Sequence, residues 1–260
     1  MLRGILFDLD GVLYNSSQLI EGAVEAVNWV QQRGIPHLFV TNTTSRSRAV
    51  LAAKLSAFGF CASESAILTP ALAAADWIRM RDPAPVALFI PASTRGEFSG
   101  LPCLHDDAET GASYVVIGDL GGQWNFRTLN RAFRLLYHNP DATLIALGMT
   151  RYWLAADGIS LDVAPFVAAL EHATGRKAVV FGKPAEAFFH ACVERLALPP
   201  EQVLMIGDDI QTDVGGAQEA GLKGALVKTG KFRPTDLEGL IKPFVVLDSV
   251  ADLPAAWETM

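Results

Sequence analysis

An apolar strand that ends in two carboxylates constrains this chain more than any other segment. Residues 4–13 read Gly-Ile-Leu-Phe-Asp-Leu-Asp-Gly-Val-Leu, so a strand-type run reaches Asp8 and Asp10 before Gly11 turns the chain. Side chains at i and i+2 of a strand share a face, so we expect both carboxylates to project beyond the strand end. Two unit charges about 4 Å apart repel by roughly 4 kcal/mol at an effective dielectric near 20. A cation between the acids would offset this repulsion, and different roles for the two acids in one reaction would explain why it is tolerated. The two residues could also simply cap a turn.

Composition excludes several classes of protein. The 260 residues are half hydrophobic, which is enough for one large or two smaller globular domains with a buried core. The formal net charge is −7 and no basic run occurs, so nucleic acid is not expected as a partner. Cys61, Cys103 and Cys192 lie far apart, which fits a reducing compartment better than a disulfide framework or a zinc site. With neither a secretory leader nor an apolar run long enough to span a membrane, we expect a cytoplasmic protein without membrane contact.

The order of the predicted elements favours an α/β fold, with a doubly wound parallel-sheet (Rossmann-like) core. Helix and strand patterns alternate at both ends of the chain. Strands are predicted at 4–8, 36–40, 179–181, 203–206, 225–228 and 245–247, and helices over 22–33, 46–58, 70–80 and 185–196. Ligands of such sheets bind beyond the carboxyl ends of the strands.

The middle of the chain repeats the α/β pattern without acidic strand ends, and we expect it to form a separate α/β cap. Residues 81–85 resemble a linker. The predicted division is therefore a core from residues 1–80 and 179–260, with a cap of 81–178 inserted between them. Within the cap we predict strands at 86–90, 114–117 and 143–147, helices over 128–137 and 165–174, a polar and aromatic loop at 148–153, and core positions for Trp124 and Phe126.

Four strand ends of the predicted core carry residues capable of chemistry. They are Asp8 with Asp10, Thr41 with Asn42, Lys183, and Asp208 with Asp209 and Asp213. Acids gathered so densely do not all stay ionised without a cation, and oxygen ligands with no clustered His or Cys favour Mg²⁺. Such a metal and a lysine would neutralise a phosphate group so that a carboxylate could attack its phosphorus.

Four segments, in this order, resemble the motifs of the haloacid dehalogenase (HAD) superfamily of phosphohydrolases. They are D-L-D-G-V at 8–12, V-T-N-T at 40–43, G-K-P at 182–184 and M-I-G-D-D-x-x-x-D at 205–213. The long interval between the second and third segments resembles subfamily IIA, which has an α/β cap inserted there. Further segments resemble a narrower group that acts on inorganic pyrophosphate and phosphoramidates such as phospholysine and phosphohistidine: R-Y-W at 151–153, P-F-V-A-A-L-E-x-A-T-G at 165–175, D-V-G-G-A-Q at 213–218 and T-G-K-F-R-P at 229–234.

The resemblance implies a Mg²⁺-dependent phosphatase that forms an aspartyl-phosphate. Asp8 matches the nucleophile and Asp10 the general acid, which would later activate water. Asp8, the backbone carbonyl of Asp10, and Asp208 match the metal ligands. Asp209 and Asp213 match positions that act through water or a hydrogen bond to a ligand, although Asp213 could instead cap the following helix.

For phosphate binding, the resemblance implies Thr41 and Lys183, helped by Asn42 and the backbone at Gly11. Arg151 belongs to a loop that either packs within the cap or selects the substrate, and both interpretations stay open. The expected substrate is a small phosphorylated metabolite. A phosphate-binding regulator without turnover and a hydrolase of carbon–halogen bonds remain as alternatives, and Asp10 argues against the second. A homodimer through an exposed cap edge also stays open.

Overall fold

Residues 1–81, 84–155 and 158–260 are described by a computed structural model of the chain. They form two compact units. The core unit contains residues 1–41, 48–68 and 183–260, and the inserted unit contains residues 42–47 and the described part of 69–182.

The described residues contain both strands and helices, and several consecutive strands have no α-helix between them. The strands are β1 (Gly4–Asp8), β2 (Tyr14–Asn15), β3 (Gln18–Leu19), β4 (His37–Val40), β5 (Ile67–Leu68), β6 (Val86–Phe89), β7 (Tyr114–Ile117), β8 (Thr143–Ala146), β9 (Tyr152–Ala155), β10 (Gly158–Leu161), β11 (Val179–Val180), β12 (Val203–Gly207), β13 (Lys223–Val227) and β14 (Val245–Leu247). The α-helices are α1 (Ala23–Gln32), α2 (Arg48–Ala57), α3 (Pro70–Arg79), α4 (Phe126–Tyr137), α5 (Val163–Thr174), α6 (Glu186–Leu196), α7 (Gly216–Glu219) and α8 (Leu253–Trp257), and a π-helical turn spans Ile210–Gly215.

A six-stranded parallel sheet forms the centre of the core unit, in the order β14-β13-β12-β1-β4-β5. Strand β1 lies between β12 and β4, and all five of its residues are buried. A strand covered on both faces reads as a continuous apolar run, which explains the sequence Gly-Ile-Leu-Phe before Asp8. The predicted doubly wound parallel core is confirmed.

Apolar packing fixes the position of β1. The ring of Phe7 stacks on that of Phe39 in β4, with centroids 6.0 Å apart. Helix α1 turns Ala23, Val27 and Val30 toward the same cluster, as its helical spacing predicts. The carboxyl ends of β12, β1 and β4 therefore lie side by side at one edge of the packed core sheet.

The inserted unit has its own four-stranded parallel sheet, in the order β11-β8-β7-β6. Helix α4 packs beside α5, and Trp124 stacks on Phe166 of α5 with ring centroids 4.5 Å apart. The predicted core position of Trp124 is thus confirmed, whereas that of Phe126 is wrong because its side chain is 84% exposed. Phe126 is the first residue of α4 and projects from the helix start.

The boundaries of the compact units differ from the predicted limits of 1–80, 81–178 and 179–260. Helix α3 groups with the inserted unit, where Trp77 packs edge-on against Tyr114 and Phe181. Strand β11, expected to begin the second half of the core, instead pairs with β8 of the inserted sheet. Both assignments depend on pairing partners distant in sequence, which local patterns do not specify.

The predicted loop at 148–153 also differs from the structure. Tyr152 and Trp153 belong to β9, which pairs antiparallel with β10. Aromatic residues favour strands, so this segment forms half of a hairpin once a partner strand is available. In the described part of the chain, no helix is both long and apolar enough to cross a membrane.

Candidate active site

Asp8 is the last residue of β1 and lies at the carboxyl edge of the core sheet. Its side chain is buried, and its Oδ1 lies 2.8 Å from Lys183 Nζ. Burial raises the pKa of Asp8 above its ordinary value, the charge and hydrogen bond of Lys183 act to lower it, and the neighbouring charge of Asp208 raises it again. The lysine therefore favours the ionised carboxylate that nucleophilic attack requires.

Lys183 is held between two carboxylates. Its Nζ lies 2.8 Å from Asp8 Oδ1 and 2.7 Å from Asp213 Oδ1, and its side chain is only 3% exposed. Burial acts to lower the pKa of Lys183, but the charges of Asp213 and Asp8 raise it above the usual range. The two carboxylates thus favour the charged form of the ammonium.

Two further buried carboxylates follow β12. Asp208 comes directly after the strand, and Asp213 lies on the π-helical turn. Burial raises the pKa of each to about 6; the Lys231 amide opposes this shift at Asp208, and the Lys183 charge opposes it at Asp213. Both shifts are expected for buried carboxylates that lie close to other acids.

The oxygens of Asp208 have different surroundings. Oδ2 accepts a hydrogen bond from the Lys231 amide at 2.8 Å. Oδ1 is buried and has no hydrogen-bond partner among the described residues. Buried polar oxygens in native proteins almost always have a partner, so an unpartnered oxygen in an acidic cluster is suited to bind a cation.

Asp8, Asp208 and Asp213 can supply that cation with ligands. Each offers a carboxylate oxygen, and the three oxygens lie within 4.8 Å of one another. Hard oxygen donors with no sulfur or imidazole among them suit Mg²⁺ or a similar divalent ion. The residues present therefore fit a divalent metal, and Asp213 enters the cluster although the sequence placed it outside the ligand set.

Asp209, and not Asp213, has the capping role that was considered for Asp213. Asp209 Oδ1 accepts hydrogen bonds from the amides of Gln211 and Thr212, each at 3.0 Å, so Asp209 caps the π-helical turn. Burial acts to raise the pKa of Asp209, but the bond from Thr212 and the charge of Lys231 bring it below its ordinary value. Asp213 instead faces Lys183, and its Oδ2 accepts a hydrogen bond of 3.1 Å from the Asp209 amide.

Asp10 differs from Asp8 in exposure. Strand β1 ends at Asp8, and Asp10 lies in the following turn, where it forms an isolated bridge with Tyr14. Its side chain is exposed, and its Oδ1 accepts a long hydrogen bond of 3.4 Å from the Ser16 amide. Asp8 and Asp10 therefore do not share one face of a strand, contrary to the expectation. Asp10 is accessible to water or a leaving group.

The candidate phosphate-binding residues are divided between the units. Thr41 directly follows β4, is buried, and donates its amide to the Leu68 carbonyl at 3.3 Å. Gly11 and Lys183 also belong to the core unit, whereas Asn42 and the exposed Arg151 belong to the inserted unit. Within the core unit, the structure brings Asp8, Lys183, Asp208 and Asp213 together, although the strand before Lys183 belongs to the inserted sheet.

A segment that sequence reasoning assigned no role contacts this cluster. Thr229, Gly230 and Lys231 follow β13 and approach both Gly11 and Asp208. The available signal was a Thr-Gly-Lys sequence directly after a buried strand, where glycine often marks a close approach of backbone. We refer to these three residues as the 229–231 strap.

Family models match both parts of the core sequence. A model described as haloacid dehalogenase-like hydrolase matches residues 5–99, and one described as HAD-hydrolase-like matches residues 180–253. The chain is 38% identical over 239 residues to phospholysine phosphohistidine inorganic pyrophosphate phosphatase of Homo sapiens, with 90% of this chain and 86% of that protein covered. This chain belongs to the haloacid dehalogenase-like hydrolases.

Other relatives agree with this assignment. Haloacid dehalogenase-like hydrolase domain-containing protein 2 of Bos taurus is 39% identical over 242 residues, covering 93% of this chain and 90% of that protein. A solved p-nitrophenyl phosphatase from Archaeoglobus fulgidus superposes with a TM-score of 0.87 at 30% identity, covering 98% of this chain and 99% of that one. The resemblance to HAD phosphatases is confirmed, and the chain is an HAD-like phosphatase.

Proposed function

We propose that this chain is a Mg²⁺-dependent phosphatase that hydrolyses a small phosphorylated metabolite through an aspartyl-phosphate on Asp8. The observation that carries the proposal is the buried arrangement of Asp8, Lys183 and Asp213, with oxygen-to-nitrogen distances of 2.8 and 2.7 Å. A carboxylate beside a fixed cation, which favours its ionised form, is suited to attack an anionic phosphoryl group.

The residues divide the reaction between them. An oxygen of Asp8 attacks phosphorus as the bond from phosphorus to the leaving group breaks, and Asp10 gives its proton to that group. Asp10 then takes a proton from water as the water oxygen attacks the phosphoryl group, which releases phosphate and regenerates Asp8. Lys183 and Thr41 hold the transferred group. Asp8, Asp208 and the Asp10 carbonyl would hold the metal, with Asp213 beside them, and the metal supplies charge neutralisation of the phosphoryl oxygens.

Inorganic pyrophosphate and phosphoramidates are our proposed substrate classes. This finer proposal is supported by the name of the human relative, which is similar over most of this chain. We further propose that residues around Arg151, within the predicted cap of 81–178, select among substrates. A cytoplasmic location stays a prediction from the cysteine content.

Phosphate release in the presence of Mg²⁺ tests the proposal. The panel includes p-nitrophenyl phosphate, pyrophosphate, phospholysine and phosphohistidine, and Asp8→Asn serves as the blank. We expect turnover by the wild type and a loss of at least about 10³-fold in the variant, since single removal of a nucleophile has effects of this size or larger. Equal turnover by both proteins would exclude Asp8 as nucleophile, and silence across the panel would favour a phosphate-binding regulator.

A further inference from the structure

The 229–231 strap contacts two segments of the site that are far from it in sequence. Thr229 Oγ1 donates a hydrogen bond of 2.5 Å to the carbonyl of Gly11, across 218 positions of the chain. The Lys231 amide donates to Asp208 Oδ2 at 2.8 Å. The strap therefore links the end of β12 with the turn that follows Asp10.

There is no spare room where the strap meets these segments. A Cβ on Gly230 would overlap Asp208 Oδ2 and lie 2.7 Å from the Cα of Gly11, and Gly230 also has a φ of +67°. A Cβ on Gly11 would overlap the same Asp208 oxygen. Two glycines thus let the backbone close around one carboxylate, as expected where chain segments approach closely.

This contact leaves Asp208 one orientation. Oδ2 is occupied by the Lys231 amide and enclosed by Gly11 and Gly230, while Oδ1 is buried with no hydrogen-bond partner among the described residues. A hydrogen bond to one oxygen of a carboxylate ligand fixes which oxygen faces the metal.

We propose that the strap presets the metal site, with Thr229 as a positioning residue that acts through Gly11 and with the Lys231 amide orienting Asp208. The inference rests on the proposed metal dependence. By fixing the Gly11 carbonyl, Thr229 fixes the turn that contains the Asp10 carbonyl, so its hydroxyl sets the position of one proposed ligand without touching the metal.

Calorimetric titration of the purified chain with MgCl₂ tests this role independently of turnover. Thr229→Val removes the hydroxyl at nearly constant volume, and Thr229→Ser keeps it. We expect the Mg²⁺ Kd of Thr229→Val to rise by about 10-fold, the lower end of the range for residues that support metal ligands, and that of Thr229→Ser to stay within about 2-fold of wild type.

Thr174→Val is the matched control, because Thr174 Oγ1 makes a comparable bond of 2.7 Å to the Leu170 carbonyl in the inserted unit. A purely structural role would lower the Tm of Thr229→Val and Thr174→Val alike while the Mg²⁺ Kd stayed unchanged. Should Thr229→Val not fold, Thr229→Ala takes its place, since it also removes the hydroxyl that bonds the Gly11 carbonyl and is expected to raise the Kd similarly.

The outcomes separate this inference from the proposed function. An unchanged Kd in the folded variant, alongside Mg²⁺ binding by the wild type, overturns the positioning role and leaves the phosphatase proposal standing. A wild type that neither binds Mg²⁺ nor depends on it for phosphate release overturns both.

Discussion

The ammonium of Lys183 lies 2.8 Å from Asp8 Oδ1, and both side chains are almost fully enclosed by protein. The same ammonium lies 2.7 Å from Asp213 Oδ1. One cation therefore compensates two buried carboxylates, and the arrangement balances only when a further cation is added. This charge balance determines how the site should respond to mutation, pH and metal.

Removing the cation of Lys183 should destabilise the fold as well as stop the reaction. Lys183→Met leaves Asp8 and Asp213 buried without their partner, and breaking a buried pair in this way costs about 3–5 kcal/mol. We expect the free energy of unfolding in urea to fall by that amount and phosphate release to be lost. Lys177→Met is the control, because Lys177 is 88% exposed and should change neither quantity. Equal stability of the two variants would contradict the charge balance.

The metal-free protein should become more stable as the pH falls from 8 to 5. Burial raises the pKa of Asp208 from 3.8 to about 6, so the folded state binds this proton more tightly than the unfolded chain does. The resulting stabilisation is complete below about pH 4 and is lost as the pH rises through about 6. Linkage gives about 1 kcal/mol for Asp208 between pH 8 and pH 5.

Urea unfolding in EDTA at the two pH values measures this effect. Wild type should gain about 1 kcal/mol more on acidification than Asp208→Asn, which cannot titrate at this position. Adding Mg²⁺ to the wild type at pH 8 should remove most of the difference in its stability between pH 8 and pH 5, because the ion stabilises the charged carboxylates. If the free energy of unfolding depended on pH equally in wild type and variant, the pKa of Asp208 would not be raised in the folded protein.

The sequence predicted the central features of the core because they are local. A continuous apolar run ending in Asp8 specifies a strand buried on both faces, and a similar run before Asp208 specifies its neighbour β12. Parallel strands place their carboxyl ends at one edge of a sheet, so the proximity of Asp8 and Asp208 followed from the order of elements. Lys183 follows β11 of the inserted sheet, and its role in the same site was predicted from the family resemblance.

The remaining features depend on contacts between distant residues. Strand β11 has only two residues, and its partner β8 decides which sheet it joins. Asp10 is exposed in a turn, and the Gly11 carbonyl of this turn accepts a hydrogen bond from Thr229, 218 positions away. The exchange of roles between Asp209 and Asp213 depends on a π-helical turn, which has no clear sequence signature and is common at functional sites.

Gly216→Ala should destabilise the protein although helix propensity favours alanine. Gly216 has helical dihedral angles, and alanine is worth up to about 1 kcal/mol more than glycine in a helix. However, the added Cβ would lie 2.6–2.7 Å from three atoms of Pro184, including its carbonyl oxygen and Cα. Backbone cannot yield as a flexible side chain can, so we expect a net loss of about 1–3 kcal/mol.

The displacement should also reach the chemistry, because Pro184 is adjacent to Lys183. We expect a lower kcat for p-nitrophenyl phosphate together with the lower Tm. Gly96→Ala is the control, since a Cβ there meets no atom within 4 Å. If Gly216→Ala were as stable and as active as Gly96→Ala, close packing of the first residue of α7 against Pro184 would have no energetic weight.

Asp10→Asn should slow turnover to an extent that depends on the leaving group. An asparagine keeps the size of the exposed side chain and its acceptor oxygen for the Ser16 amide, but it has no proton to give. General acid catalysis contributes about 10²–10⁴-fold. We expect the full loss of kcat with substrates whose leaving group needs a proton and a smaller loss with p-nitrophenyl phosphate, since p-nitrophenolate leaves without one.

Measuring both substrates on the same preparation removes differences in folded fraction. An equal loss with both would indicate that Asp10 acts through its position or through the activation of water, because that step follows the departure of the leaving group and is common to all substrates.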